Sequence, residues 1–276
     1  AVAALLVVLP PWGRTFSERA VISGIVLLGV VAVLFPRAGN TTIDANTARI
    51  FLAAVLILCV SLYAIPQLRK TLLPKPRPIE LVFLAVAGGL FYWLVSSYLG
   101  VTSYQLLSGL YFSGWDNHGH FTTFANTYVA SSTTWPTVDG SVAWNQWYPS
   151  LHTTVWALAE YTVGSAGLDR VELLFPYIRW SALSFVFSMT ALAWVASNLA
   201  SRWTGRLLTT RAVRAAPYLA VAAMSVWILL GSPQFLFNSG FTNFVMAIAL
   251  VTTASYLSVR SWRSARTLGW FIIPLA

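Results

Sequence analysis

The chain has 276 residues, 57% of them hydrophobic and only 9% charged, with a mean hydropathy of +0.69. Soluble globular domains carry about 25% charged residues, so that class is excluded. A net charge of +9 would point to nucleic acid in a soluble protein. In a chain this apolar it reads instead as loop arginines that set membrane topology, and no nucleic-acid partner is expected.

Residues 1–10 are already apolar, with no charged leader and no small-residue cleavage site, which argues against a signal peptide. Apolar runs follow at 21–35, 50–65, 81–99, 180–200, 216–231 and 240–258. Each approaches or reaches the roughly 17–25 residues that span a bilayer as a helix. The runs are continuous rather than alternating, which rules against a β-barrel. Residues 268–276 are apolar again and stop too soon to span. The expected fold class is an all-α polytopic membrane protein, cut within a helix at both ends. Cys59 lies alone in an apolar run and has no internal disulfide partner. Arginine outnumbers lysine 15 to 2, which, with the alanine and valine content, points to a GC-rich bacterial genome.

The basic residues fix the expected topology. Arg14 and Arg19 form one group. Arg69, Lys70, Lys75 and Arg77 form a second, in a stretch stiffened by "PKPRP". Arg202, Arg206, Arg211 and Arg214 form a third, and Arg260, Arg263 and Arg266 a fourth. The positive-inside rule places all four groups in loops on the cytoplasmic side. No lysine or arginine occurs from Pro78 to Asp169. Helix 81–99 therefore runs outward and delivers a large extracytoplasmic loop, about 100–176, with helices at the membrane interface. Segment 151–167 is expected not to cross, because crossing would put the arginines of 202–214 outside. It is read as an interfacial helix. Val155, Leu158 and Ala159 form its apolar side, and His152, Trp156 and Glu160 recur on another face.

All three histidines fall in this loop, two of them within "FSGWDNHGHFTTF". Asp116 stands where a loop enters a helix. It is either a plain N-cap or a general base set beside an imidazole. A helix starting there puts Asp116 and His120 on one face above Thr123 and Phe124, with His118 pointing elsewhere. Asp116, His118, His120 and His152 also supply ligand types for a divalent metal ion, although D-x-H-x-H is not a standard ligand spacing. His152, in "NQWYPSLHTTVWALAE", falls in the first turn of a helix whose N-terminus favours a phosphate; a plain surface histidine is the alternative. Arg179 either snorkels to headgroups or holds a lipid phosphate. Trp115, Trp135, Trp144, Trp147 and Trp156 form either an aromatic belt or a platform for sugar rings. Glu160, Asp169, Arg170 and Glu172 read as a solvated charge cluster, and Asp139 as a turn residue.

At these residues the chain resembles the GT-C superfamily of integral-membrane glycosyltransferases, in particular multi-pass actinobacterial members. The resemblance rests on an outward helix, a long outer loop opening with "WDNHGH", and the "YPSLH" segment at 148–152, and it covers roughly residues 80–260. It implies a GT-C-like helix bundle at 79–276, preceded by extra transmembrane helices at 1–78. It implies transfer of a sugar from a polyprenyl-phosphate donor to a glycan or lipid-linked acceptor in cell-wall biogenesis, on the outer face of the cell membrane. The base is then Asp116. By their own chemistry, His118, His120, His152 and Arg179 are candidates for holding the donor phosphate or orienting Asp116, and Tyr148, Trp115 and Trp147 are candidates for binding substrate. The chain departs from the family in its additional N-terminal helices and in having Asn117 where a second acid would complete a double-acid motif. The competing readings are a lipid-linked sugar transporter or flippase, and a non-catalytic subunit of envelope assembly. Transporters place polar residues at mid-membrane, whereas here polarity concentrates in the outer loop.

Overall fold

The computed structural model describes residues 13, 15–35, 41–69, 73–75, 77–111, 116–133, 151–164, 167–207 and 210–262. Within them the named elements are helical: α1 Phe16–Leu34, α2 Ala45–Leu62, α3 Pro66–Arg69, α4 Pro78–Val95, α5 Tyr104–Tyr111, α6 Asn117–Val129, α7 Leu151–Val163, α8 Leu174–Leu207, α9 Thr210–Leu230, α10 Ser232–Asn238 and α11 Thr242–Trp262. Six are long and apolar enough to cross a membrane, namely α1, α2, α4, α8, α9 and α11. They coincide with the six internal apolar runs. The two apolar ends of the chain lie outside the described residues.

Local chemistry explains where the helices begin. Thr15 caps α1 by accepting from the Glu18 N–H, and Asp44 caps α2 by accepting from the Thr47 N–H at 2.7 Å. Pro78 opens α4, where the missing N–H costs nothing. Helices α6 and α7 have 13 residues each, about 20 Å of rise, against a hydrocarbon core of about 30 Å. Among the described residues neither helix is long enough to count among the candidate spans.

Helix α8 is the axis of the bundle, packed by α9, α11 and α4 along its length and by α5, α6 and α7 near its start. Its apolar window is 61% buried within the protein, against 11% for α2 and for α9. The outward faces of α2 and α9 are apolar surface that only lipid or another membrane segment would cover. In lipid, packing and polar contacts hold helices together rather than hydrophobicity. The bundle has such contacts: Tyr111 donates to Ser181, which bonds Thr242, linking α5, α8 and α11.

The two ends differ. At one end Arg260 pairs with Glu18 at 2.5 Å, the Ser17 N–H donates to Glu80 at 2.8 Å, and Arg202 lies over Tyr256. These contacts join the starts of α1 and α4 and the ends of α8 and α11, with Arg19, Arg77, Arg202 and Arg260 at that end. At the other end lie α6, α7 and the start of α8. Arg179 and Arg202 sit on the same helix 23 residues apart, about 35 Å. Two sequence expectations need correction. Arg19 is not in a loop: it lies in the first turn of α1, fully buried, with Nε donating to the Gly13 carbonyl. The stretch 202–214 is largely helix as well, because α8 runs to Leu207 and α9 starts at Thr210.

Candidate functional site

Asp116 sits at the N-cap position of α6, but its carboxylate makes no capping hydrogen bond. The backbone holds it there instead. Its N–H donates to the Ser239 carbonyl at 3.0 Å, and its own carbonyl accepts from the His120 N–H at 3.1 Å. The next residue, Asn117, is buried and donates through Nδ2 to the Tyr111 carbonyl at 3.0 Å, while Tyr177 Oη donates to the Asn117 carbonyl at 3.3 Å. Gly240 presses against this junction with φ at +88°, and a Cβ there would lie 2.5 Å from the Asn117 nitrogen. The start of α6 is therefore clamped by α5, α8 and the α10–α11 turn. Asn117 forms the side-chain part of that clamp.

One turn on, His120 is buried with Thr123 and Phe124 beneath it, on the face the sequence assigns. His118 is exposed on another side, and Asp116 is half-buried. His120 Nδ1 and His152 Nε2 are 3.1 Å apart, in a direct imidazole–imidazole hydrogen bond, and the His152 ring meets Trp156 edge-on. Burial pushes the His120 imidazole down to about 4, with the Asp116 charge opposing the shift. Burial and the neighbouring His120 hold His152 well below the usual histidine range. Both rings are neutral at physiological pH, and the bond between them needs one to donate and the other to accept. Asp116, His118, His120 and His152 do not assemble as one ligand set: His118 faces away, and the facing nitrogens of the other two histidines bind each other. Among the described residues no three His, Cys, Asp or Glu side chains converge on a metal position.

Helix α7 departs from the expectation for its polar face. His152, Trp156 and Glu160 are all buried, as is Leu158 of the apolar side, whereas Val155 and Ala159 are half-buried. The cause is coverage on several sides: α7 packs on α6 and α8 and also against α1 and α2. The inward stripe is tolerated because each member has a polar partner. Trp156 Nε1 donates to Ser184 at 2.7 Å, and Glu160 accepts from Arg179 at 2.5 Å and from Trp180 Nε1 at 2.6 Å. Glu160 is 2% exposed and is a buried counter-ion, not part of a solvated cluster. Gly164 makes room for it, since a Cβ there would meet the Glu160 carboxylate at 1.9 Å. Arg179 is thus already engaged by an acid, with one-third of its side chain exposed. Asp169 and Glu172 do lie in an exposed turn, cross-bonded through their backbone N–H groups, and Arg170 bonds Asn126. Trp115, Trp135, Asp139, Trp144, Trp147 and Tyr148 lie outside the described residues. Glu160 and Asn117 are the residues whose structural roles the sequence reading missed. The signal for Glu160 was a single acid eight residues after His152 on one stripe.

Comparison with family models, with curated proteins and with solved structures gave no match.

Proposed function

We propose that the protein is a membrane glycosyltransferase of GT-C type, using a polyprenyl-phosphate sugar at the end of the bundle that carries α6 and α7. By the positive-inside rule that end is extracytoplasmic, because Arg19, Arg77, Arg202 and Arg260 lie at the other. The observation that carries the reading is Asp116. It is a half-buried carboxylate whose backbone is clamped from three elements and whose side chain does not cap its helix. A carboxylate held in place by a clamped backbone at the mouth of a helix suits a general base. Behind it stands a neutral histidine pair that accepts no proton from it near pH 7.

In the reaction the acceptor hydroxyl attacks the anomeric carbon. Its proton passes to Asp116, the bond from that carbon to the phosphate oxygen breaks, and the polyprenyl phosphate leaves with the electron pair. Attack opposite the leaving group inverts the anomeric centre. The phosphate needs donors. His118 and the exposed edge of Arg179 are the accessible ones, whereas His120 and His152 act as the rigid support of α6 rather than as ligands. Asp116→Asn keeps the shape and removes the base. It should lower transfer from a polyprenyl-phosphate sugar by about 10²–10⁴-fold with an unchanged thermal midpoint. Full transfer by the variant would refute Asp116 as the base, and no transfer by the wild type would favour a non-catalytic envelope subunit.

A further inference from the structure

The end of the bundle opposite the histidines contains a cavity of about 350 Å³ lined from five helices: α1, α4, α8, α9 and α11. That size is in the range of small-ligand sites. Its charges are unusual for a membrane protein surface rich in arginine. Arg260 is spent on Glu18 at 2.5 Å. Glu80 has both oxygens on Ser17, one accepting from the N–H at 2.8 Å and the other from Oγ at 3.1 Å, and it forms no ion pair among the described residues. Arg77, one turn before Glu80, is exposed and likewise forms no ion pair there. The walls therefore carry one carboxylate and one guanidinium without ionic partners among the described residues, together with the aromatic rings of Trp194 and Tyr218.

We propose that this cavity holds the headgroup of a zwitterionic phospholipid, its phosphate on Arg77 and its ammonium on Glu80. The level is right: the cavity lies where α1, α4 and α9 begin and α8 and α11 end, at headgroup depth for helices that span, and tryptophan and tyrosine favour that depth. An all-basic pocket between helices would select an anionic headgroup. Two acids in the lining disfavour that, and the Glu18–Arg260 pair leaves the remaining charges balanced. Guanidinium binds phosphate oxygens in a fork, and a carboxylate accepts N–H donors from an ammonium.

The test uses the full chain in detergent micelles doped with dioleoyl-phosphatidylethanolamine or dioleoyl-phosphatidylglycerol, with the thermal midpoint as readout. The phosphatidylethanolamine should raise the midpoint in a saturable manner and the phosphatidylglycerol should not. Arg77→Gln, whose parent side chain makes no hydrogen bond among the described residues, should abolish that gain while leaving the lipid-free midpoint unchanged. Glu80→Gln should lose the preference between the two lipids. Equal or greater stabilisation by phosphatidylglycerol, or a phosphatidylethanolamine gain that persists in Arg77→Gln, overturns the site.

Discussion

The buried histidine pair should make the protein acid-labile, because burial holds both imidazoles below the ordinary histidine range. His120 lies 1% exposed and titrates near 4, against an ordinary value of 6.5. The folded state therefore binds fewer protons than the unfolded state between those values, and stability rises with pH there. The contribution is intact above about pH 6.5 and is lost as pH falls toward 4. At pH 5 the unfolded histidine is almost fully protonated and the folded one almost not, which costs about 2 kcal/mol; the whole shift is worth about 3 kcal/mol. His152, displaced in the same direction, adds to the slope. The assay is the midpoint of thermal or denaturant unfolding in one detergent from pH 7.5 to 4.5, for wild type and for His120→Gln. Wild type should lose stability steadily below pH 6.5. The variant should be weaker at pH 7.5 and flatter in its pH dependence. Parallel curves would show that His120 is protonated, or hydrated, in the folded state and would refute the neutral pair.

Two further substitutions probe the clamps on the site. Gly240→Ala places a Cβ against the Asn117 nitrogen at a φ of +88°, and should cost about 1–3 kcal/mol. Transfer activity should fall more than stability does, because displacement of the start of α6 carries Asp116 with it; calorimetry and a transfer assay read the two effects separately. Arg179→Ala strands the buried Glu160 carboxylate. Removing one partner of a buried pair costs about 3–5 kcal/mol, and the partial exposure of Arg179 puts the loss here near or below about 3. Adding Glu160→Gln should restore part of that loss, and a double variant no more stable than Arg179→Ala alone would contradict the pairing.

Particular residues show what the sequence made legible. The six spanning helices followed from hydropathy, because a bilayer demands long apolar runs whatever their packing. The shared face of Asp116 and His120 followed from helical spacing. The inward turn of His152, Trp156 and Glu160 did not, since a polar stripe reads the same whether it meets water or partners on α6 and α8. Arg19 misled for a related reason: an arginine at a helix start is taken for a loop residue until the carbonyl of Gly13 is found beside it. Asn117 was marked as a departure from a motif, and only the tertiary contacts with Tyr111 and Tyr177 show what it does.

The central claim is that a lipid-borne phosphate sugar meets Asp116 at the histidine end of the bundle. A cryo-EM map of the full chain with a polyprenyl-phosphate sugar tests it most directly. The expected map has lipid density running up the outside of the bundle to the start of α6 and α8, with the phosphate in hydrogen-bond reach of His118 or Arg179 and the sugar facing the Asp116 carboxylate. Density for the same lipid only elsewhere on the bundle, with Asp116 facing no substrate, would contradict it.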